Sequence, residues 1–369
     1  MRLSLFDPKP PPALDTGPRS IGAVKMLRIS LTDRCNFRCV YCMPAEGVAW
    51  LAKDELLSFE EIADIVRAAI DIHGIRRFKL TGGEPTVRRG LTELVRTLRD
   101  IPGVEDLSLT TNGHNLADLA RPLLESGLHR VTISADSLRA DRFKTITRTG
   151  DLAAVMRGID ASLAAGFASV KINCVMMRGT NDDELADFAR LTLDRRLSVR
   201  FIEYMPLGDS AVMGGAVMGG AVGGRVADDE VGPSGGCGAQ DRGDVFISET
   251  EARALIEAEL GPLTPVDRAT EAGVGPAVPY RLPNAVGRVG FISAMSAPFC
   301  STCNRLRLTA TGVLRSCLFE GGEVDLKPVL RGTPADRRQA IADAMTDCVR
   351  LKPDVHSFRG NEQMSRIGG

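Results

Sequence analysis

The sequence predicts an α/β fold built on a parallel sheet, and three features predict it. Six β-favouring runs recur along residues 26–204, amphipathic helical stretches separate them, and polar motifs fall at the carboxyl ends of the runs. The runs are 26–31, 77–81, 106–111, 130–134, 169–173 and 199–204, a spacing suited to repeated βα units. Six such units suit either a doubly wound sheet or an incomplete (β/α) barrel, and periodicity alone does not choose. In both, functional loops follow the carboxyl ends of the strands.

The helical stretches are 58–73, 91–99, 116–126, 152–165 and 182–195. Ser58 and Glu61 form a capping-box pattern at the first, and Asn181 is a candidate cap for the last. Strand ends carry Thr81-Gly82-Gly83-Glu84-Pro85, Thr110-Thr111-Asn112-Gly113 and Ser134-Ala135-Asp136-Ser137. Beyond Met205 the composition turns Gly-rich over 208–244, with a near-repeat of Ala-Val-Met-Gly-Gly; this reads as a mobile insertion with few side chains to pack. Order is expected to resume near Val245, with a helix capped by Ser248 and Glu251, strands at 286–292, 305–309 and 313–316, and a last helix opened by Thr333-Pro334-Ala335-Asp336. The expected division is an extension (1–23), a partial barrel (24–207), the insertion (208–244) and a smaller carboxyl-terminal domain (245–369).

Composition narrows the function. Of 369 residues 44% are hydrophobic and 25% charged, with 46 basic against 47 acidic side chains. This is ordinary globular composition, and a net charge of −1 suggests neither a nucleic-acid binder nor a polybasic membrane binder. No run of about 20 apolar residues is present. Pro8, Pro10, Pro11 and Pro12 mark a start with no apolar core and cleavage site, so a cytoplasmic location is expected. Six of nine cysteines sit in two tight groups, which in a reducing compartment points to metal or catalysis rather than disulfides.

The first group, Cys35, Cys39 and Cys42, follows the first strand. Three thiolates can hold three corners of a four-iron cluster and leave one iron open; a zinc knot completed by a distant residue is the alternative. The second group is Cys300, Cys303 and Cys317. It suits a second three-cysteine cluster, or a structural zinc with Cys348 or His356 as fourth ligand. Between its members, alternation along Arg305-Leu306-Arg307 puts two guanidiniums on one side, which suits an anion. Of the remaining cysteines, Cys174 ends a strand and reads as a core thiol, and Cys237 lies in the insertion.

The Cys35-x3-Cys39-x-Tyr41-Cys42 pattern, with Thr81-Gly82-Gly83-Glu84-Pro85, resembles the radical S-adenosylmethionine (SAM) superfamily. Adding Arg28 to Cys35, Arg88-Arg89, Lys171-Ile172-Asn173, Phe201 to Pro206, the second cysteine group and the Gly368-Gly369 tail, the whole resembles the GTP 3′,8-cyclase family of molybdenum-cofactor biosynthesis.

That resemblance implies an incomplete (β/α)6 TIM-like barrel, with a carboxyl-terminal domain that carries an auxiliary cluster and closes the barrel base. It implies two 4Fe-4S clusters, on Cys35, Cys39 and Cys42 and on Cys300, Cys303 and Cys317, the free iron of the second meeting guanine. Tyr41, Gly83, Ser134 and Met205 match SAM-contacting positions, with Gly82 and Gly83 expected to let the backbone approach SAM closely. Arg28, Lys79, Thr110, Lys171, Arg305, Leu306 and Arg307 match GTP-contacting positions. Arg305, Arg307, Gly368 and Gly369 are the catalytic candidates. The implied reaction removes the 3′ hydrogen of GTP through a 5′-deoxyadenosyl radical and joins C3′ to guanine C8. The implied partners are GTP, SAM, a one-electron donor such as flavodoxin or ferredoxin, and a downstream cyclic pyranopterin monophosphate synthase; a homodimer is compatible, and neither nucleic acid nor membrane is expected. A peptide-modifying radical SAM enzyme, a zinc-stabilised binding module and a plain barrel acting on phosphates are the rival readings.

Electrostatics offers a check on these assignments. A triphosphate carries about four negative charges and needs several fixed cations. Arg28, Lys79 and Lys171 lie on separate strands, and alternation can turn all three inward.

Overall fold

A computed structural model describes residues 17–207, 245–319, 322–356 and 364–367. The extension before residue 17, the 208–244 insertion with Cys237, and Gly368 and Gly369 lie outside the described residues.

The six expected strands form in order: β1 (Met26–Ser30), β2 (Arg77–Thr81), β3 (Asp106–Thr111), β4 (Arg130–Ser134), β5 (Ser169–Met176) and β6 (Leu197–Glu203). They pair in parallel, each with the next. Between them run α1 (Phe59–His73), α2 (Leu91–Arg99), α3 (Leu116–Glu125), α4 (Ala140–Thr147), α5 (Leu152–Ala165) and α6 (Leu185–Asp194). The carboxyl-terminal part adds α7 (Glu249–Leu260), β7 (Thr264–Pro265), β8 (Val278–Arg281), β9 (Arg288–Ile292), β10 (Arg305–Leu308), β11 (Val313–Arg315), β12 (Glu323–Asp325), α8 (Lys327–Arg331), α9 (Arg337–Arg350) and α10 (Met364–Ile367).

These later strands extend both edges of the same sheet. Its order is β12-β11-β10-β1-β2-β3-β4-β5-β6-β9-β8-β7, with β10 parallel to β1 and β9 parallel to β6. The end strands β12 and β7 are not neighbours, so the barrel is open. Apolar residues alternate outward into a continuous core beneath the helices, including Leu27, Ile29, Phe78, Leu80, Leu107 and Leu109. On α1 the buried stripe of Ile62, Ile65, Val66 and Ile70 faces that core; each such side chain contributes about 1.5–3 kcal/mol.

The capping boxes at Ser58 and Ser248 form as expected. Four expectations change. Asn181 supplies no side-chain cap; its amide donates to the Asp136 and Val175 carbonyls and its Oδ1 accepts from Met177 N, so it braces the β4 and β5 ends. The last helix begins at Arg337, capped by Asp336, because the preceding Pro334 lies outside it. Cys174 lies within β5, which continues to Met176, although it is buried as expected. Helices α4, α8 and α10 and strands β7, β8 and β12 were not expected. Among the described residues no helix is long and apolar enough to cross a membrane.

Candidate active site

The loop bearing Cys35, Cys39 and Cys42 follows β1 and is fixed from three sides. Along α4 and its exit, Arg38 N donates to Thr147 O, Val40 N to Ile146 O and Arg148 Nη1 to the Arg38 and Met43 carbonyls. Beneath it, Gly83 N donates to Thr32 O at 2.6 Å and Glu84 N to Arg34 O at 2.7 Å. A Cβ on Gly83 would lie 2.4 Å from Arg34 O and 2.5 Å from Asp33 O. The glycine pair therefore lets two backbones touch, β2's exit against the cysteine loop. On the third side Asn112 Nδ2 donates to Asn36 Oδ1.

Glu84 ties these motifs together. Fully buried, it accepts from Thr86 N, Thr86 Oγ1, Thr111 Oγ1 and Asn112 N, joining the β2 and β3 exits. Tyr41 OH donates to Asp136 Oδ2 at 2.7 Å, and Asp136 Oδ1 accepts from Val175 N. Burial pushes Asp136 up to about 6.

All eight described cysteines are free of disulfides. Burial, before any other influence, pushes Cys35 up to about 11, and burial with repulsion from Asp136, Cys42 and Cys35 pushes Cys39 well up. Two thiols that resist ionisation, clustered with a third at Cys42, fit a cationic centre able to hold them as thiolates. The donor set thus suits an iron–sulfur cluster.

A cavity of about 240 Å³ opens inside the barrel. Among the expected positions it brings together Tyr41, Ser134 and Met205; Arg28, Lys79, Thr110, Lys171, Arg305 and Arg307; and Cys300, Cys303 and Cys317. Gly83 does not line it, nor do Cys35, Cys39 and Cys42. Leu306 is fully buried in the apolar core, turned away as strand alternation requires.

The register explains the charge pattern. Arg28 on β1 lies directly beside Lys79 on β2 and Arg307 on β10. Like charges opposite one another are destabilising in a sheet. Burial first, then Arg307 and Arg305, holds Arg28 well below the usual guanidinium range. Burial, then Arg28, Arg200, Lys171 and Arg130, does the same to Lys79. Lys171 comes down to about 7 and Arg200 and Arg307 to about 10, each chiefly through burial. Thr110 Oγ1 and Asn173 Oδ1 are buried at the cavity wall with no hydrogen-bond partner among the described residues. A row of mutually repelling cations beside orphaned polar atoms is the lining an anionic, hydrogen-bonding ligand requires.

Sequence reasoning missed Arg130, Asp136 and Arg200, all of which line the cavity. The alternation argument applied to Lys79 and Lys171, which the family resemblance supplied, extends equally to Arg200, since it sits inward on β6 between Val199 and Phe201. Asp136 lay in a quoted motif without a role.

The second cysteine group stands at the β10 side. Arg305 stacks on Phe299, 4.9 Å from guanidinium to ring centroid, and Lys352 Nζ donates to the Cys303 and Arg305 carbonyls. Burial raises Cys303, but Arg305 and Lys352 outweigh it and bring the thiol down to about 7. Cys348, a candidate fourth zinc ligand, is buried with Sγ 2.8 Å from Gly322 O, and His356 stacks on Phe319 with Nε2 against Ala294 O. Among the described residues no three His, Cys, Asp or Glu side chains gather tightly enough for a single metal ion.

The open parallel barrel and its three-cysteine loop define a radical SAM protein. Residues 29–192 match the Radical SAM superfamily and residues 230–358 match Molybdenum Cofactor Synthesis C. The barrel is similar to that of Streptococcus suis SuiB bound to S-adenosylmethionine, at TM-score 0.50 and 14% identity over 80% of this chain and 60% of that one, a likeness of fold alone. A GTP 3′,8-cyclase of Pelotomaculum thermopropionicum is 47% identical over 350 residues, 94% of this chain and 98% of the relative. Another from Moorella thermoacetica is 45% identical over 352 residues, with the same shares. The chain belongs to the GTP 3′,8-cyclase family.

Proposed function

We propose that the chain converts GTP and SAM to (8S)-3′,8-cyclo-7,8-dihydro-GTP, 5′-deoxyadenosine and methionine, the first step of molybdenum-cofactor biosynthesis. One observation carries the choice of substrate: the buried row of Arg307, Arg28 and Lys79, continued by Lys171 and Arg200, inside a cavity walled at one side by Cys300, Cys303 and Cys317. A polyphosphate neutralises the row while the attached base reaches the cysteines.

Cys35, Cys39 and Cys42 hold one 4Fe-4S cluster, which when bound supplies the electron that splits SAM and so the means of removing a hydrogen from an unactivated carbon. Tyr41, Ser134 and Met205 receive SAM along the cavity's upper wall, with Asp136 fixing the Tyr41 hydroxyl, and Gly83 holds the cysteine loop from below. Cys300, Cys303 and Cys317 hold a second 4Fe-4S cluster. A cluster spreads its thiolates over several irons, so these three need not converge on one ion. Arg28, Lys79, Thr110, Lys171 and Arg307 bind GTP, Leu306 contributing only through its main chain. Arg305, stacked on Phe299 beside Cys303, holds the base and offsets charge as it is reduced. Gly368 and Gly369 have no side chains and suit a narrow path to the site. Holding C3′ and C8 together in a closed cavity is the chain's main contribution.

A one-electron donor of the flavodoxin or ferredoxin type, and a cyclic pyranopterin monophosphate synthase that consumes the product, complete the scheme. Anaerobic incubation of reconstituted protein with GTP, SAM and reductant tests it. The expected result is a cyclised nucleotide of the same mass as GTP, because the hydrogen lost from C3′ is matched by one electron and one proton gained after ring closure, formed one for one with methionine. SAM cleavage with GTP untouched would point instead to a peptide-modifying member of the superfamily.

A further inference from the structure

Lys171 on β5 and Arg200 on β6 find their carboxylate partner on a neighbouring loop rather than on the barrel, whereas Arg130 on β4 pairs with Asp106 on β3. Between β7 and β8 the chain crosses the strand starts: Arg288, which opens β9, donates to Thr270 O, Arg130, which opens β4, to Ala272 O, and Asn304, just before β10, to Val274 O. Lys171 Nζ also donates to Ala272 O, at 2.6 Å. Beside that carbonyl, Glu271 Oε2 lies 3.5 Å from Lys171 Nζ and 3.6 Å from Arg200 Nη2, while Oε1 accepts from Arg288 Nη1 at 2.7 Å.

The two kinds of contact differ. The Arg288 contact is a charge-assisted hydrogen bond, whereas those to Lys171 and Arg200 exceed hydrogen-bond length and are held by charge alone. Ala272 lines both the barrel cavity and a second cavity of about 600 Å³, which Glu271, Arg281 and Arg288 also border. The partition at the barrel base is therefore thin, and the carboxylate can stay with Arg288 while releasing the two inner cations.

We propose that Glu271 is a specificity-determining residue for the nucleotide, one that narrows the advantage the cation row gives a triphosphate over a diphosphate. Its carboxylate occupies the place beside Lys171 and Arg200 that the terminal phosphate of a nucleoside triphosphate takes. A triphosphate displaces it; a diphosphate, with its base against Cys300, Cys303 and Cys317, stops short and leaves it in place. This rests on the reading of the cavity as the GTP site.

The test compares GTP and GDP binding to anaerobically reconstituted holoenzyme by titration calorimetry, in the parent protein, Glu271→Gln and Glu271→Asp. Glu271→Gln removes the competing charge and keeps the shape, so GTP binding tightens about tenfold while GDP changes by less than about twofold. Glu271→Asp, which withdraws the carboxylate by one methylene, shifts GTP in the same direction by a smaller factor and keeps the proposal testable should the glutamine variant fold poorly. Weaker GTP binding in these variants, no change, or equal changes for GTP and GDP overturns the proposal and leaves the GTP site standing. Absence of GTP binding by the parent protein overturns the site reading itself.

Discussion

Replacing Lys79 with methionine separates stability from binding. The side chain faces the cavity, donates to Thr132 Oγ1 at 3.1 Å, and sits in register beside Arg28. Its ammonium is destabilised by burial and by Arg28, Arg200, Lys171 and Arg130, which together hold it well below the usual lysine range. Methionine fills a similar volume without charge, so Lys79→Met relieves these terms in the free protein. Replacing a buried charge by an apolar residue of like shape stabilises by about 1–3 kcal/mol, which for a chain of this size raises the thermal midpoint by about 1–4 °C. The same change removes a buried partner of the triphosphate. Losing one such partner costs about 2 kcal/mol or more, about a 30-fold loss of GTP affinity. Differential scanning fluorimetry without nucleotide and calorimetry with GTP measure the two arms on one anaerobic preparation. A variant that melts lower than the parent and binds GTP equally well would refute the view that the cation row is strained until an anion arrives.

Two further outcomes follow from the same geometry. Lys171, facing Arg200, Glu271 and Arg130, is held at about 7 by burial in the free protein against an ordinary 10.5. A lysine depressed in this way is neutral in the folded protein above pH 7 but still protonated in the unfolded chain, so its penalty to folding is full below pH 7 and fades between pH 7 and 10.5. An anion restores the proton, so GTP binding is accompanied by proton uptake and weakens as pH rises from 7 to 9. In Lys171→Arg the charge persists and that slope becomes shallower; an unchanged slope in calorimetry across this range would count against it. At the second cysteine group, Cys317→Ala lowers the iron content of reconstituted protein by about four per chain, whereas Cys348→Ala leaves it unchanged and loses only packing around Gly322. Equal iron loss in both would place Cys348 among the ligands.

Much of this was legible before any coordinates. Strands β1 to β4 follow the apolar runs within a residue or so, because each alternates inward polar with outward apolar side chains. Both cysteine groups came from spacing, whereas Arg28, Lys79 and Lys171 came from the family resemblance, with strand alternation allowing them to face inward. Helix α4 escaped because its short stretch carries charges on most faces and buries only Phe143, Ile146 and Thr147. Strand β8 contains Pro279, which argues against a central strand but is tolerated where β8 pairs between β9 and the two-residue β7. Arg130 is paired with Asp106 across the β3–β4 edge and reads locally as a rim charge. Glu271 carries no local signal, since its meaning comes from Lys171, Arg200 and Arg288, brought to it from three strands.

The most direct measurement of the central claim uses GTP labelled with deuterium at C3′, incubated without oxygen with the reconstituted protein, SAM and a low-potential reductant. The account predicts one deuterium in the 5′-deoxyadenosine for each molecule of cyclised nucleotide formed. Deuterium retained at C3′, or 5′-deoxyadenosine formed without label while GTP is consumed, would contradict it.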